Sequence, residues 1–388
     1  MTDHTDPLPA PHRLDDPVDV ERYARLLAEA DRNRGVSPAR EAWQRLRRNR
    51  IAIVALGFLV LLALAAVLTP LLPLQPPSQT ATAKSFEPPK IWPLFVHSPE
   101  IAPEPQPGDP ATPAGATPLW IEKQFPQLGP IDRRLVEARV WLFGRWSLNS
   151  LFGRDELGRD LLARVVWGAR ISLMAGLVGA LVSLLIGVSY GAIAGYAGGR
   201  VDNLMMRVVD VLYSVPFIFI VIYINTILSG HETQLWLDEH GINRITVFYA
   251  VIGLVYWLTM ARVVRGQVLS LKHEQFVDAA RTIGASRGRI IFRHIVPNVL
   301  SVVIVYLTLT IPRVMLFEAF LSFLGLGVQP PDVSWGLLAN AGFRVITPIK
   351  IFWWLFLFPA AAIGMTLFSL NFLGDGLRDA LDPRLKNK

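Results

Sequence analysis

Long apolar runs separated by shorter polar segments dominate the chain. Six runs are long enough to cross a membrane, at 51–69, 171–196, 211–228, 245–261, from 299 onward, and at 351–373. A helix needs about 17 to 25 predominantly apolar residues to cross a hydrocarbon core of about 30 Å. The pattern therefore predicts an all-α fold, namely a polytopic integral membrane protein with six transmembrane helices.

The segment between the first two runs has a different pattern. It is rich in proline from residue 73 to residue 113 and contains no apolar run that could cross a membrane. Proline-rich stretches of this kind favour turns and irregular structure. We expect residues 70–170 to form a proline-rich external loop with a short helix, and residues 75–130 to tolerate shortening because such loops bury little.

The remaining segments are polar tails and one basic loop. Residues 1–50 form an N-terminal tail with an amphipathic helix at 16–34, residues 51–69 the first transmembrane helix, and residues 374–388 a C-terminal tail. Residues 171–373 form a five-helix core that includes the loop 262–298. Arginine and lysine cluster before the first run and within 262–298, and such clusters favour the cytoplasmic side. Both tails and this loop are therefore predicted to be cytoplasmic.

Composition supports a membrane protein and excludes several other classes. Hydrophobic residues make up 52% of the chain and charged residues 18%, whereas soluble domains have about a quarter charged residues. The net charge of +7 comes from clusters beside apolar runs, which argues against a nucleic-acid partner. The chain has no cysteine, and its seven histidines show no metal-binding spacing. No metal or cofactor is predicted.

Two motifs bear on catalysis, and neither predicts an enzyme. Gly187-Val-Ser-Tyr-Gly191 matches a hydrolase nucleophile elbow but lies within an apolar helix, and the dipeptide Gly-Lys of a phosphate-binding loop does not occur. Any ATP must be hydrolysed by a partner. Gly187, Gly191 and Gly195 recur every four residues, as in helices that pack closely in membranes.

Charged residues within the apolar runs are candidates for a transport path. Arg313 and Glu318 lie in or near the fifth run, where ionisable groups are costly and often functional. They either reach water at the membrane surface or face a translocation path. Asp202 and Asp210, near the third run, are interpreted as capping and topology features.

The loop at 275–297 predicts two short helices joined at Gly284. Phe276, Ala280 and Ile283 form an apolar face on the first helix, and Ile290, Ile291 and Ile295 on the second. Gly284 can adopt the left-handed backbone that ends a helix, and Ser286 can cap the next one. Such an amphipathic hairpin either binds lipid or docks a protein.

Specific motifs in this loop and elsewhere resemble one transporter family. Asp278-Ala279-Ala280, followed by Gly284 and Pro297, resembles the EAA loop of the permease subunits of binding-protein-dependent ABC importers, although that family usually has Glu at the position of Asp278. Further segments resemble the C-type permease subunit of its oligopeptide and dipeptide branch, at 153–160, 168–173, 195–202, 320–327 and 371–383.

The resemblance implies both a site and an assembly. The implied ATPase-coupling residues are Asp278, Ala279, Ala280, Arg281, Gly284, Ala285, Ser286 and Pro297. The implied partners are a homologous B-type permease subunit, two ATP-binding subunits, and a periplasmic or lipid-anchored peptide-binding protein, in the lipid of a bacterial inner membrane. The implied substrate is an oligopeptide moved by alternating access. A dipeptide, glutathione or a chelated metal, and a secondary transporter that works alone, are the alternatives.

Overall fold

A computed structural model describes residues 38–98, 101, 119–125, 128–228 and 230–381 of the chain. Five helices in this part are long and apolar enough to cross a membrane: Arg50–Val67, Leu161–Ala197, Arg244–Leu271, Arg287–Phe323 and Trp353–Leu381. We call them the first, second, fourth, fifth and sixth spans. A sixth crossing is reached when a bent helix pair counts as one span, in agreement with the predicted fold class.

The bent pair replaces the straight third span that was predicted at 211–228. Gly199–Ser214 and Phe217–Leu228 meet at an angle of 71°. The break lies at Val215 and Pro216, where Val215 is extended with φ −79° and ψ 120°. Proline disfavours helical geometry in the residue before it and supplies no N–H to the ladder, so the helix ends there.

Several other boundaries differ from the prediction. The second span begins at Leu161, because Asp160 caps it by accepting a hydrogen bond from Ala163 N, so residues 161–170 belong to this helix and not to the loop. The sixth span continues to Leu381 through most of the predicted C-terminal tail. Pro38–Arg48 is helical within the predicted N-terminal tail, and the helix predicted at 16–34 lies outside the described residues.

Shorter elements connect the spans. They are the 3₁₀ turns Thr69–Leu71 and Thr82–Lys84, the helices Leu119–Gln124, Pro130–Phe143, His231–Glu239, Gln275–Thr282 and Trp335–Arg344, and the strands Phe95–His97 and Trp146–Leu148. The two strands pair antiparallel and are an exception to the predicted all-α fold. The second and fifth spans each contain a π-helical segment, at Ser183–Gly187 and Ile290–Ile295.

The first part of the loop is packed, contrary to the expectation that it buries little. The Phe86 ring stacks on Phe352 with 4.1 Å between the centroids. The buried Gln75 side chain donates to Leu148 O at 3.1 Å and accepts from Arg154 at 2.9 Å. Backbone groups of this part of the loop also pair with the segment that leads into the second span, from Ala81 N to Leu157 O at 2.9 Å and from Phe86 N to Asp155 O at 3.0 Å. This pairing explains why an irregular chain can be ordered here.

The glycines of the second span have the predicted packing role. A Cβ on Gly191 would lie 2.3 Å from Ala261 O of the fourth span, and one on Gly187 would lie 2.7 Å from Met260 Cβ. Distances this short are excluded for a real side chain. Only glycine allows these two helices to approach so closely.

Candidate functional site

The helix Gln275–Thr282, which we call the tip helix, follows the fourth span directly. It ends in two hydrogen bonds, from Gly284 N to Arg281 O at 2.9 Å and from Ala285 N to Ala280 O at 3.0 Å. This is a Schellman motif, which needs a left-handed residue after the helix. Gly284 supplies it with φ +77°, so the predicted helix end is confirmed.

One face of the tip helix is packed against the membrane spans. Val277 and Ala280 are buried in a cluster that includes Val268 of the fourth span and Ile291 of the fifth. Ala192 of the second span belongs to the same cluster. A movement of the tip helix would therefore disturb a cluster shared with three spans, because close-packed interiors have little free volume.

The predicted apolar face was only partly right. Ala280 is buried, but Ile283 is 82% exposed and Phe276 is 37% exposed. The buried positions Val277 and Ala280 are three residues apart and share one side of the helix, whereas Phe276 points about 100° away from Val277. Phe276 and Ile283 are therefore left as exposed apolar side chains.

The opposite face and the turn are open. Asp278, Ala279, Gly284 and Ser286 are exposed, and Ala285 is half-buried. A Cβ on Gly284 would meet no described atom within 4 Å. Within the described part of the chain, only the backbone angle therefore restricts this residue.

Arg281 connects the tip helix to the second span. It donates to Asp278 at 3.0 Å and to Lys272 O at 3.3 Å, and its guanidinium lies 5.6 Å from the centre of the Tyr196 ring. All these contacts are near the surface, where a single ion pair stabilises by at most about 1 kcal/mol. Their effect is to orient the exposed Asp278 carboxylate.

The predicted second helix of the loop is the beginning of the fifth span. Ile290, Ile291 and Ile295 are buried, as predicted. Ser286 occupies the N-cap position, as predicted, and its carbonyl accepts from Ile290 N at 3.0 Å, but its hydroxyl makes no capping hydrogen bond. Pro297 is exposed in the first turn of Val296–Phe323, where a missing N–H is tolerated.

The two candidate path residues have different surroundings. Arg313 is exposed, and its backbone carbonyl accepts a hydrogen bond from the Tyr256 hydroxyl at 3.2 Å. Glu318 is fully buried, and its carboxyl oxygens accept from Ser172 at 2.9 Å and from Ser322 at 2.8 Å. The structure does not bring the two side chains together.

The Glu318 carboxyl group joins segments that are distant in sequence. Ser172 belongs to the second span and also accepts from Trp335 N at 3.3 Å, while Ser322 accepts from Val328 N at 3.1 Å. Two of the motifs noted in the sequence, 168–173 and 320–327, therefore meet at this buried carboxyl group.

The two carboxylates near the third run were misinterpreted from the sequence. Asp202 is buried and accepts two hydrogen bonds from Arg265 of the fourth span, at 2.6 and 2.7 Å, and Asp210 pairs with Arg262 at 2.8 Å. These carboxylates join helices and do not cap one. Arg262 and Arg265 at the end of the fourth run indicated that carboxylates could pair with them. Sequence alone does not show which carboxylates do so.

The described residues contain no group of three or more His, Asp or Glu side chains that could hold a metal ion. The site is instead a protein surface, formed by the exposed side of the tip helix and the turn at Gly284. Such a surface can bind another protein, and its buried side links it to the spans.

Comparison with known proteins identifies the family. Residues 187–387 match the model of the binding-protein-dependent transport system inner membrane component. Residues 37–89 match the N-terminal transmembrane domain of oligopeptide transport permease C. The first match covers the second half of the chain, including the tip helix, and the second covers the first span and the packed part of the loop.

Individual relatives agree with these matches. The chain is 46% identical over 240 residues to the dipeptide transport system permease protein DppC of Bacillus subtilis, which covers 62% of this chain and 70% of the relative. It is 50% identical over 233 residues to the oligopeptide transport system permease protein OppC of Haemophilus influenzae, covering 60% and 70%. It is 33% identical over 344 residues to DppC of Lactococcus lactis, covering 89% and 90%. With its membrane spans and its exposed tip helix, the chain belongs to the family of inner membrane components of binding-protein-dependent transport systems.

Proposed function

We propose that this chain is one of the two membrane-spanning subunits of an ATP-driven importer that carries oligopeptides into the cytoplasm. The names of relatives at 46% and 50% identity, which are dipeptide and oligopeptide permease proteins, support a peptide substrate. The chain would bind no ATP and break no bond. Its role would be to conduct the peptide and to open its path alternately to either side of the membrane.

The proposed assembly contains a homologous B-type permease subunit, two ATP-binding subunits and an external peptide-binding protein. Membership in a binding-protein-dependent family supports the last of these. The chain would cross the bacterial inner membrane several times, with both termini in the cytoplasm. The tip helix would then face the cytoplasm, where ATP is available to the partner subunits.

The proposed coupling surface consists of Asp278, Ala279, Arg281, Gly284, Ala285 and Ser286. Ala280 is buried beneath it, and Pro297 lies inside the fifth span, just after its π-helical segment. One observation carries this proposal. The tip helix exposes one face, while Val277 and Ala280 on the other face are buried in a cluster whose remaining members come from the second, fourth and fifth spans. A partner that presses on the exposed face would move the spans, because the buried side chains cannot slide independently.

Of the two candidate path residues, Arg313 fits the path better. Its side chain is exposed within the fifth span, whereas the Glu318 carboxyl group is closed off by Ser172 and Ser322. An exposed cation in a span would attract the carboxylate of a peptide terminus. Arg313→Gln should therefore reduce peptide uptake more than it reduces ATPase association.

Substitutions at Gly284 test the coupling surface. Gly284→Arg should leave the subunit in the membrane but reduce ATPase copurification and ATP-dependent peptide uptake, because a long side chain is added at the tip and the left-handed backbone costs about 1 kcal/mol or more. Gly284→Asn is the matched control, since asparagine tolerates this backbone and is short. Asp278→Glu should have a mild effect. Normal uptake in Gly284→Arg would contradict the proposal.

A lipid-anchoring loop predicts a different result. In that case uptake would follow the exposed basic residues Arg287, Arg289 and Arg293, and it would be insensitive to Gly284. Replacing these three arginines with glutamine while measuring uptake and ATPase copurification distinguishes a lipid-anchoring loop from an ATPase-coupling surface. Competition by dipeptides and by longer peptides in the same uptake assay would define the preferred length.

A further inference from the structure

The helix Pro130–Phe143, which we call the loop helix, borders a groove at the end of the first span. The groove has a volume of about 500 Å³. Its walls include Ala66 and Val67 of the first span, Ile131 and Leu135 of the loop helix, and Met174 and Leu177 of the second span. Asp132 and Arg170 are the only charged residues that line the described part of this groove.

Those two charged groups neutralise each other. Arg170 donates to both carboxyl oxygens of Asp132 at 2.8 Å, and its guanidinium also lies 5.2 Å from the centre of the Trp167 ring. A charged ligand would therefore find no net charge to pair with in the groove. The remaining wall is apolar, so the groove suits an uncharged hydrocarbon chain.

The loop helix also carries an apolar stripe along its outer face. Ile131, Leu135, Ala138 and Leu142 recur at spacings of four, three and four, which places them on one side of a helix. Ile131 is 74% exposed and Leu142 is 53% exposed. The neighbouring Trp141 is 85% exposed, and tryptophan is enriched where proteins meet the membrane surface.

The side of the helix next to this stripe fixes the loop helix to the spans. Buried Arg139 donates to Leu72 O at 3.2 Å and to Leu74 O at 3.0 Å, just beyond the first span, and Val136 is buried beside it. The Asp132–Arg170 pair connects the first turn of the loop helix to the second span. With both contacts made, the loop helix is held in an orientation that leaves Ile131 and Leu142 exposed.

We propose that the loop helix lies on the membrane surface and that the groove holds one phospholipid acyl chain. The argument rests on continuity. The exposed Val67, Met174 and Leu177 belong to membrane spans, and the same groove wall continues into Ile131 and Leu135. An amphipathic helix with an apolar stripe and a flanking tryptophan lies in the membrane interface. Thus part of the loop is an anchor at the lipid surface.

Single-cysteine variants test the position of the helix, because the native chain has no cysteine to remove. Ile131→Cys and Leu142→Cys, labelled with a fluorophore in the assembled importer, are placed in phosphatidylethanolamine and phosphatidylglycerol nanodiscs. Lipids with a nitroxide near the top of the acyl chain should quench both labels several-fold more than a label at Glu137→Cys, an exposed position away from the stripe. Equal quenching at all three positions would overturn the proposal. The same labels are also measured in the subunit without its permease partner. Labels that the lipid quenches there but not in the assembled importer would also overturn the proposal, since that result would assign the stripe to a protein partner.

A second variant tests the groove. Ala63 is an exposed groove residue of the first span, and Ala63→Trp should fill the space without disturbing the core. Leu61→Trp, at an exposed position of the same span outside the groove lining, is the matched control. Native mass spectrometry should show one fewer retained phospholipid for Ala63→Trp than for Leu61→Trp or the wild type. An unchanged lipid count in Ala63→Trp would overturn the acyl-chain site.

Discussion

Glu318 illustrates how a single buried carboxyl group can connect two helices of a membrane protein. Both of its oxygens accept hydrogen bonds from serines, one on the second span and one on its own helix. We predict that Glu318→Leu lowers the thermal stability of the purified protein. The reason is that the Ser172 and Ser322 hydroxyl groups lose their acceptors, and a buried polar group without a partner costs about 1 to 3 kcal/mol.

Glu318→Gln is the control for this experiment. Its side-chain oxygen still accepts one hydrogen bond and its shape is nearly unchanged, so its melting temperature should lie between those of the wild type and Glu318→Leu. Unfolding can be followed by tryptophan fluorescence in detergent. If the leucine variant were as stable as the wild type, the carboxyl group would have no structural role.

Asp160 predicts a pH dependence of stability. It is buried at the N-terminus of the second span, and desolvation raises its pKa to about 6, although the Ala163 N–H and the nearby Arg154 favour the charged form. The negative charge of Asp155 raises the pKa further. The folded state thus binds this proton more tightly than the unfolded state. The stabilisation is complete below the unfolded pKa near 4 and is lost as pH rises through about 6.

Asp160→Asn should remove this dependence. Asparagine also caps a helix, so the capping hydrogen bond is retained while the titrating group is lost. The fall in melting temperature between about pH 4.5 and about pH 7.5 should be smaller in the variant than in the wild type, because one unit of pKa shift corresponds to about 1.4 kcal/mol. An equal fall in both proteins would assign the pH dependence to other groups.

At the scale of helices, the apolar runs predicted where spans occur but not where they break. Proline shows why. Pro216 interrupts the third crossing, whereas Pro312 and Pro359 lie inside the fifth and sixth spans. Neighbouring helices and small local adjustments can satisfy the backbone group that a proline leaves free in a membrane. That depends on packing between helices, which a single sequence does not display.

The tip helix was predicted with similar success and a similar limit. Its end at Gly284 follows from local backbone preference and was predicted correctly. Its buried face was displaced by one residue, from Phe276 to Val277, because an eight-residue helix is apolar on more than one side. Only the position of the fourth and fifth spans decides which side is covered.

Packing between the second and fourth spans gives a prediction at this scale. Gly191→Ala should lower expression and melting temperature, since the added Cβ would lie 2.3 Å from Ala261 O and the helices would have to separate. Gly266→Ala, on the fourth span, is the matched control because its Cβ would meet no described atom within 4 Å. It should be neutral or slightly stabilising, as alanine favours helix over glycine. Equal effects of the two changes would show that the interface is looser than the structure indicates.

For the whole molecule, the loop between the first two spans divides into parts with different tolerance. Replacing residues 103–117 with an equally long Gly/Ser segment should preserve assembly and transport, because this proline-rich stretch has few apolar residues. Phe86→Ala should lower stability, since it removes the ring that stacks on Phe352 beside the sixth span. Uptake and melting temperature measure both. A stable but inactive Gly/Ser variant would indicate that the stretch contacts a partner such as the binding protein.

The orientation of the molecule in the membrane is the prediction on which the coupling proposal depends. Six crossings place both termini on one side, and the basic residues before the first span and between the fourth and fifth spans favour the cytoplasm for that side.

Arg154, Arg159, Arg164 and Arg170 are basic residues on the predicted external side and oppose this assignment. In the structure, however, all four pair with carboxylates: Arg154 with Glu87, Arg159 and Arg164 with Asp155, and Arg170 with Asp132. A reporter fused near Pro105 should therefore read external, and reporters fused after Arg289 and after Pro383 should read cytoplasmic. A cytoplasmic reading at Pro105 would place the tip helix outside, away from ATP, and the coupling proposal would fail with it.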